Sequence, residues 1–446
     1  MKKKLFCCSL GCPKNRVDSE IVIAQFIDKG WEVAETSGKA DLVILNTCSF
    51  INDAREESVN SFFELHASLK KGAKIAVMGC LPQLYPNLGD MLPEADFIFG
   101  VNDLPDVAKI VTEHWNDGFR GKSGASEFLY TSSMGRVLTY SPWTAYLKIA
   151  DGCNNFCSYC SIPHIRGRYR ERPLKDILAE AENLIKTGVK EIVVIAQDTT
   201  QYGSKTNSSL KQLIRSLNAL KGNFKFRVMY LYPSGIDREL LEIIRDSKKM
   251  YNYLEVPLQH VSDPVLKAMN RRYSEKDIYD LISMVNNVFG ENYLLRTTVI
   301  SSFPAEKKED HELLKAFIEK GFFDYIGAFK YSKEESSASY KMRAVPAKTA
   351  DTRFAEIEKA AHECMEKRLD RFVGKEVEVL YEGIDPELKV PVGRCWNQAP
   401  EIDGITIITN LGNEKAGSIL KCRIVSREGT DFIADILENA KTADGE

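Results

Sequence analysis

Three cysteines in the middle of the chain, Cys153, Cys157 and Cys160, are separated by three and then two residues. This central trio lies in a loop rich in Gly, Asn and Ser that follows an apolar run at residues 145–150. Thiols this close in sequence can fold around one metal centre, and here they supply three ligands. A structural zinc ion takes four closed ligands, whereas a four-iron cluster held by three thiolates keeps one iron open. The spacing therefore favours an iron–sulfur cluster that can bind a further small molecule.

The spacing of the central trio resembles the Cys-x-x-x-Cys-x-x-Cys signature of the radical S-adenosylmethionine (SAM) enzymes. The resemblance implies a [4Fe–4S] cluster whose open iron is chelated by SAM, and cleavage of SAM to a deoxyadenosyl radical. It also implies that Tyr159 lies against the adenine of SAM. A zinc site with His164 as the fourth ligand is the alternative, because any run of Cys and His can bind metal.

A second set of cysteines occurs in the first part of the chain, where short apolar runs alternate with amphipathic stretches. This alternation predicts an α/β domain with a parallel sheet. Cys12, Cys48 and Cys80, the N-terminal trio, each follow one of the first three predicted strands. Ligands gather at the carboxyl ends of parallel strands, so we expect these thiols to converge on one sheet edge and hold a second cluster with an open iron. Buried cysteines that act as small apolar residues are the alternative.

The length and composition of the chain indicate several folded domains. A chain of 446 residues, 44% hydrophobic and 28% charged, exceeds one ordinary core. Eleven cysteines, an odd number, favour metal binding in a reducing compartment over a disulfide framework. No segment has the apolar length of a membrane span.

Periodicity and turn residues divide the chain into three domains. The central domain has six strand–helix units, too few for a closed eight-stranded barrel, which predicts an open, partial (β/α)6 barrel with a long trailing helix. Five short strands with Gly-rich turns then predict a small β-barrel of the oligonucleotide-binding type. The predicted boundaries are 1–117 for the α/β domain, 118–142 for a linker, 143–373 for the partial barrel, 374–440 for the small barrel and 441–446 for a tail.

Polar residues that follow the strands of the central domain are candidates for contacts with SAM. Gln197 and Asp198 suit its amino group, although an Asp at a strand end can instead cap the next helix. Arginines also alternate just past the central trio, and they could bind a carboxylate or phosphate or form a solvated basic strand. These arginines are Arg166, Arg168, Arg170 and Arg172.

Taken together, the two trios and the terminal barrel resemble the radical SAM methylthiotransferase family, whose terminal barrel is called a TRAM domain. Residues 9–20, 196–200, 256–260 and 399–404 are similar to the branch that modifies a ribosomal protein. The tRNA-modifying branch typically reads Tyr-Gly-Cys-Gln-Met-Asn where this chain has Leu-Gly-Cys-Pro-Lys-Asn at residues 10–15. One departure stands at residues 302–307, where Ser-Phe-Pro-Ala-Glu-Lys replaces the usual Gly-Phe-Pro-Gly-Glu-Thr.

The resemblance implies methylthiolation of the β-carbon of an aspartate in protein twelve of the small ribosomal subunit. Two [4Fe–4S] clusters would be held by the two trios, and SAM would supply both the radical and the methyl group. The chemistry belongs to the cofactors, so no catalytic acid or base residue is expected. The resemblance also implies an electron donor as a partner, and we expect a cytoplasmic, monomeric protein without membrane attachment.

Two other functions remain open at this point: methylthiolation of a tRNA adenosine, and RNA binding by a non-catalytic metal protein. Charge bears on both, because an RNA-binding surface should be positive. The whole chain has a net charge of −3, and residues 375–440 contain seven Lys and Arg against twelve Asp and Glu, a net charge of −5. An acidic barrel better suits a basic partner such as a ribosomal protein.

Overall fold

The computed structural model describes residues 2–121, 124 and 126–437. The N-terminal domain is a parallel sheet with the strand order β2-β1-β3-β4-β5-β6. Every residue of β3 is buried, as expected for a sheet covered by helices on both faces. The strands are β1 (Lys4–Ser9), β2 (Glu32–Val33), β3 (Leu42–Thr47), β4 (Lys74–Gly79), β5 (Phe97–Phe99) and β6 (Phe119–Arg120). The helices are α1 (Pro13–Asp28), α2 (Asn52–Ala67), α3 (Cys80–Leu84), α4 (Leu88–Met91) and α5 (Val107–Glu113).

The central domain has six parallel strands that form two three-stranded sheets, β11-β10-β7 and β12-β13-β14. A bridge between Phe226 and Met250 joins the two sheets, so the strands form an open, partial barrel. These six strands are β7 (Thr144–Lys148), β10 (Glu191–Ile195), β11 (Lys225–Val228), β12 (Tyr253–Glu255), β13 (Leu294–Ser301) and β14 (Tyr325–Lys330). Two short strands, β8 (Ala150–Asp151) and β9 (Arg170–Glu171), form a separate antiparallel pair. The helices are α6 (Ile162–Ile165), α7 (Leu174–Lys186), α8 (Leu210–Ala219), α9 (Arg238–Asp246), α10 (Asp263–Ala268), α11 (Glu275–Phe289), α12 (Lys308–Glu319) and α13 (Ala347–Leu369).

The C-terminal domain is a closed barrel in the order β15-β16-β17-β19-β18, in which β17 and β19 are the parallel pair. Its strands are β15 (Glu376–Ile384), β16 (Pro391–Cys395), β17 (Thr406–Thr409), β18 (Ile419–Glu428) and β19 (Asp431–Ile436). The predicted fold class is therefore confirmed in all three parts: a parallel-sheet α/β domain, a partial barrel and a five-stranded closed barrel.

One part of the prediction differs from the structure. The segment predicted as a linker at 118–142 is partly structured: Phe119 and Arg120 form β6, and Tyr130 is fully buried. The many Gly and Ser residues of this segment obscured the few side chains that anchor it. In the N-terminal domain, α3 and α4 are separate helices, as expected where Pro86 prevents a continuous helix. Residues 122, 123 and 125, the end of the predicted barrel domain at 438–440 and the tail at 441–446 lie outside the described residues.

Buried charges join the three domains. Arg136 pairs with Glu20 of α1 at 2.6 Å and with Glu180 of α7 at 2.5 Å. In the segment at 399–404, Asp403 accepts hydrogen bonds from Tyr253 Oη at 2.7 Å and Arg296 Nη1 at 2.5 Å. This segment, which resembles the ribosomal branch, holds the small barrel against the central domain.

Candidate iron–sulfur and SAM site

The N-terminal trio lies where three neighbouring strands end. Cys12 follows β1, Cys48 comes directly after β3 and Cys80 comes directly after β4, and these strands are adjacent in the sheet. The loop before Cys12 passes close to Cys48, because a Cβ on Gly11 would lie 2.8 Å from Cys48 Sγ. Gly11 also has φ +82°, so this approach requires glycine. The sheet thus brings together the three thiols that the sequence places far apart.

The central trio lies in the loop that follows β8, at the carboxyl end of the partial barrel. Asn155 donates its backbone N–H to Cys153 Sγ at 3.4 Å. Burial raises the pKa of Cys153 to about 11, and it raises the pKa of Cys160, which Cys157 raises further. Burial likewise raises the pKa of Cys48 to about 12. A raised pKa favours the protonated thiol, so metal binding at these cysteines is coupled to the release of protons.

The donor sets of both trios fit iron–sulfur clusters. Each offers three soft thiol ligands, which are the ligands such clusters take. His164, the fourth ligand in the zinc alternative, is exposed on the short helix α6. Within the described ranges, no group of three or more His, Cys, Asp or Glu is placed to hold a single metal ion. A four-iron cluster is larger than one ion, so its thiolates stand farther apart, and the arrangement gives the zinc alternative no support.

In each trio, one thiol accepts a hydrogen bond from an arginine. Arg271 Nη1 lies 3.4 Å from Cys157 Sγ, and Arg166 Nη2 lies 3.5 Å from Cys80 Sγ. Cations at these positions stabilise thiolates, because an ionised sulfur gains more from a positive donor than a thiol does. Sequence reasoning missed Arg271, which gave no signal beyond an ordinary Arg-Arg pair in a loop.

The arginines after the central trio do not form a solvated basic strand. Arg166 and Arg172 are completely buried. Arg166 pairs with Asp18 of α1 at 2.6 Å and donates to Asn15 Oδ1 at 2.6 Å. Arg172 pairs with Asp176 and Glu180 within the central domain. Arg166 therefore connects the central domain to the N-terminal trio.

The three residues predicted to contact SAM differ in the protein groups that they already contact. Asp198 caps the short 3₁₀ helix Thr199–Gln201, and its Oδ2 accepts from Asn155 Nδ2 at 2.7 Å and Gln201 Nε2 at 2.8 Å. Both oxygens of Asp198 are thus engaged by protein donors, which matches the helix-cap alternative. Gln197 donates to Asp151 at 2.8 Å, and its buried Oε1 has no partner among the described residues. Tyr159 packs against the apolar cluster Val265, Met269 and Phe303.

A lysine of the N-terminal domain reaches the carboxyl end of the partial barrel. Lys14, two residues after Cys12, places its ammonium 3.4 Å from the ring centroid of Tyr230. Tyr230 follows β11 and has φ +63°. Gln259 and Ser302 at neighbouring strand ends also have positive φ. Strained backbone of this kind collects at functional sites.

The departure at residues 302–307 keeps the conformation of a glycine. Ser302 has φ +63° where the family pattern has Gly, and its backbone N–H donates to Glu306 Oε2 at 2.7 Å. Glu306 is buried and also lies 3.1 Å from Arg353 Nη1, so it holds the loop after β13. Glu306, which this chain shares with the family pattern, thus stabilises the loop through its contacts with Ser302 and Arg353.

We expect Ser302→Gly to stabilise the protein by about 0.5–1 kcal/mol. Glycine adopts positive φ without strain, and this gain exceeds the larger entropy that glycine loses on folding. The measurement is the midpoint of denaturant unfolding. Ser301→Gly is the matched control: Ser301 lies in β13, where glycine weakens the strand, so this variant should unfold earlier. Equal loss of stability in both variants would contradict the strain at Ser302.

Comparison with known families covers most of the chain. Residues 4–100 match the uncharacterized protein family UPF0004, residues 147–317 match the radical SAM superfamily, and residues 373–437 match the TRAM domain. Among solved structures, the radical SAM methyltransferase TsrM from Kitasatospora setae has a TM-score of 0.55 with 14% sequence identity, and the match covers 76% of this chain and 77% of that one. The structural likeness shows the fold that the two share.

Relatives with curated names match from end to end. The ribosomal protein uS12 methylthiotransferase RimO of Trichlorobacter lovleyi is 40% identical over 445 residues, covering 98% of this chain and 99% of the relative. The proteins of the same name from Geotalea uraniireducens and Aquifex aeolicus are 41% and 39% identical; the matches cover 98% and 94% of this chain and 99% and 94% of the respective relatives. The predicted family, enzyme class and cofactors are thereby confirmed. The chain belongs to the uS12 methylthiotransferase family and is a radical SAM methylthiotransferase that uses two [4Fe–4S] clusters and SAM.

Proposed function

We propose that this protein adds a methylthio group to the β-carbon of an aspartate in ribosomal protein uS12, protein twelve of the small subunit. We assign the two clusters to the N-terminal trio and the central trio. The observation that carries the proposal is that the trios are linked across the domain boundary. Arg166, six residues after Cys160, donates to Cys80 Sγ, and Lys14, two residues after Cys12, reaches Tyr230 at the end of β11. The full-length relatives named as uS12 methylthiotransferases support the substrate.

The side chains around the trios hold the cysteine loops in place and donate hydrogen bonds to thiols. Asn15 Nδ2 donates to the backbone oxygens of Leu10 and Thr47, so it ties together the loops that carry Cys12 and Cys48. Arg166 and Arg271 provide the positive donors that favour thiolate ligands. When bound, the clusters supply reductive cleavage of SAM at the central trio and sulfur at the N-terminal trio.

We assign SAM contacts to two of the predicted residues and a positioning role to the third. The unpartnered Oε1 of Gln197 suits the ammonium of SAM, because a buried acceptor without a donor is costly. Tyr159 offers an aromatic face for adenine. Asp198 positions the cysteine loop through Asn155.

We infer the electron donor and the cellular compartment from the chemistry and the substrate. Reductive cleavage of SAM needs an external electron donor, and thiol ligands persist in a reducing compartment. Because the proposed substrate is a ribosomal protein, we propose that the enzyme acts in the cytoplasm and as a monomer. In the described part of the chain, no helix is both long and apolar enough to cross a membrane.

The small barrel is proposed to attract uS12 by charge. Part of its acidity lies in the interface, because Glu401 accepts from Tyr146 Oη at 2.7 Å and Asp403 pairs with Arg296. Asp431 accepts the backbone N–H of Ile405 at 2.7 Å, so it has a structural role as well. The acidic residues left to face a partner include Glu378, Glu387 and Glu428, which are exposed.

We expect the combined variant Glu378→Lys, Glu387→Lys and Glu428→Lys to bind uS12 about tenfold more weakly at low salt, because complementary charge is lost. The difference should shrink as salt rises. Titration of labelled uS12 at two salt concentrations measures both effects. Unchanged uS12 binding together with tighter tRNA binding would reverse the choice of substrate.

A matched control carries the same charge change on the N-terminal domain. Glu64, Glu94 and Glu113 are exposed, and their reversal to Lys should leave uS12 affinity within about twofold of the wild type. An equal loss in both triple variants would mean that net charge, and not the barrel, guides binding.

The proposed function is tested with the anaerobically reconstituted enzyme, SAM, a chemical reductant and sulfide. Purified uS12 and total tRNA are incubated separately and analysed by mass spectrometry. The proposal predicts a methylthio group on one aspartate of uS12 and none on tRNA. A methylthio group on tRNA adenosine alone would assign the protein to the other branch of reactions.

A further inference from the structure

Lys14 is a buried cation whose ammonium is not paired with a carboxylate. The residue is 7% exposed, and its ammonium lies over the ring of Tyr230 at 3.4 Å. Among the described residues it forms no ion pair within the 4.0 Å that defines one. Glu255 is the carboxylate that acts electrostatically on Lys14, more weakly than Tyr230 and Cys12 do, and its Oε2 already accepts the backbone N–H of Tyr230 at 2.9 Å. The ring of Tyr230 offsets part of the cost of burying this charge, and no described carboxylate lies close enough to offset the rest.

The other buried cations at this boundary do have partners. Lys148 pairs with Asp18 at 2.6 Å, and Arg296 pairs with Asp403 at 2.5 Å. Arg166 likewise pairs with Asp18. Lys14 is therefore the exception within the part of the boundary that the structure describes, and structural pairing does not account for it.

The position of Lys14 connects it to both halves of the site. It is the second residue of α1, directly after the loop of Cys12, and its side chain extends to the end of β11 in the central domain.

We propose that Lys14 binds the side-chain carboxylate of the substrate aspartate and so sets the preference for a carboxylate-bearing substrate. This inference rests on the proposed function. The carboxylate carbon is bonded to the β-carbon that receives sulfur, so an ammonium two residues from Cys12 holds the reacting carbon beside the N-terminal trio. Charge-assisted hydrogen bonds of this kind are the strong ones in proteins.

SAM also has a carboxylate, and the test must separate the two sources. The probes are SAM, purified uS12, and a uS12 variant in which the aspartate modified by the wild-type enzyme is replaced by Asn. Affinities are measured with the reconstituted wild-type enzyme, Lys14→Met and Lys14→Arg. Lys29→Met, an exposed lysine just after the same helix, is the matched control.

We expect Lys14→Met to bind uS12 about 10- to 100-fold more weakly, with unchanged SAM affinity and unchanged uncoupled SAM cleavage. The wild type should lose a similar factor on the Asn variant of uS12, whereas Lys14→Met should bind both forms equally. Lys14→Arg should recover part of the affinity, and Lys29→Met should behave as the wild type.

Three outcomes would overturn the inference. Equal losses for Lys14→Met on both uS12 forms would leave Lys14 a structural residue, and weaker SAM binding with normal uS12 binding would assign it to the carboxylate of SAM. In both cases wild-type methylthiolation of uS12 would still stand. If the wild type neither binds nor modifies uS12, the proposed function fails and the inference falls with it.

Discussion

Replacing all three cysteines of the central trio with Ala will abolish SAM cleavage, because no iron is left to bind and reduce SAM. Replacing all three of the N-terminal trio will leave SAM cleavage but stop formation of methylthio product. The measurements are 5′-deoxyadenosine release and methylthio product from the same reactions. Iron analysis accompanies them: the wild type should hold about eight iron atoms and each triple variant about four.

The matched control uses cysteines that no cluster is expected to need. Cys364, Cys395 and Cys422 are buried in α13 and the small barrel, and their joint replacement by Ala should leave the iron content unchanged. If the N-terminal triple variant still formed product, the division of roles between the trios would be wrong. A wild-type chain with one zinc and little iron would contradict both clusters.

Replacing Arg166 with Met will destabilise the protein by about 3–5 kcal/mol, because it leaves buried charge uncompensated. The guanidinium pairs with Asp18 at 2.6 Å and donates to Asn15, while Lys148 also pairs with Asp18 at 2.6 Å. Asp18 and Asn15 belong to α1 of the N-terminal domain, so loss of Arg166 weakens the contact between two domains. Denaturant unfolding and the rate of proteolysis at the domain boundary measure the effect.

Arg168→Met is the natural control for this prediction. Arg168 is exposed and lies only two residues away, so its replacement should change stability by less than about 0.5 kcal/mol. If Arg166→Met unfolds at the same denaturant concentration as Arg168→Met, the buried charge network does not hold the domains together.

The sequence alone predicted the two cysteine trios, because their placement depends on nearby residues and on the order of the strands. Cys12, Cys48 and Cys80 follow strands, and the ends of neighbouring parallel strands must meet at one edge. The central trio is contiguous, so its spacing alone indicates a shared metal centre.

The parts that sequence reasoning missed depend on contacts between distant residues. Arg166 had the pattern of a solvated strand, and its contacts with Asp18 and Asn15, far away in α1, explain its burial. The contact of Lys14 with Tyr230 joins two domains, and no local pattern around residue 14 indicates it. Asp198 had two reasonable roles, a contact with SAM or a helix cap, and the hydrogen bond it accepts from the backbone of Thr200 matches the helix cap.

The most direct test of the central claim is mass spectrometry of ribosomal proteins and tRNA from cells with and without this gene. Substrate and reaction are read together, without reconstitution of the clusters. We expect uS12 to lose the mass of one methylthio group at a single aspartate when the gene is absent, while tRNA methylthiolation is unchanged. Unmodified uS12 in both strains, with methylthioadenosine lost from tRNA in the strain without the gene, would contradict the assignment.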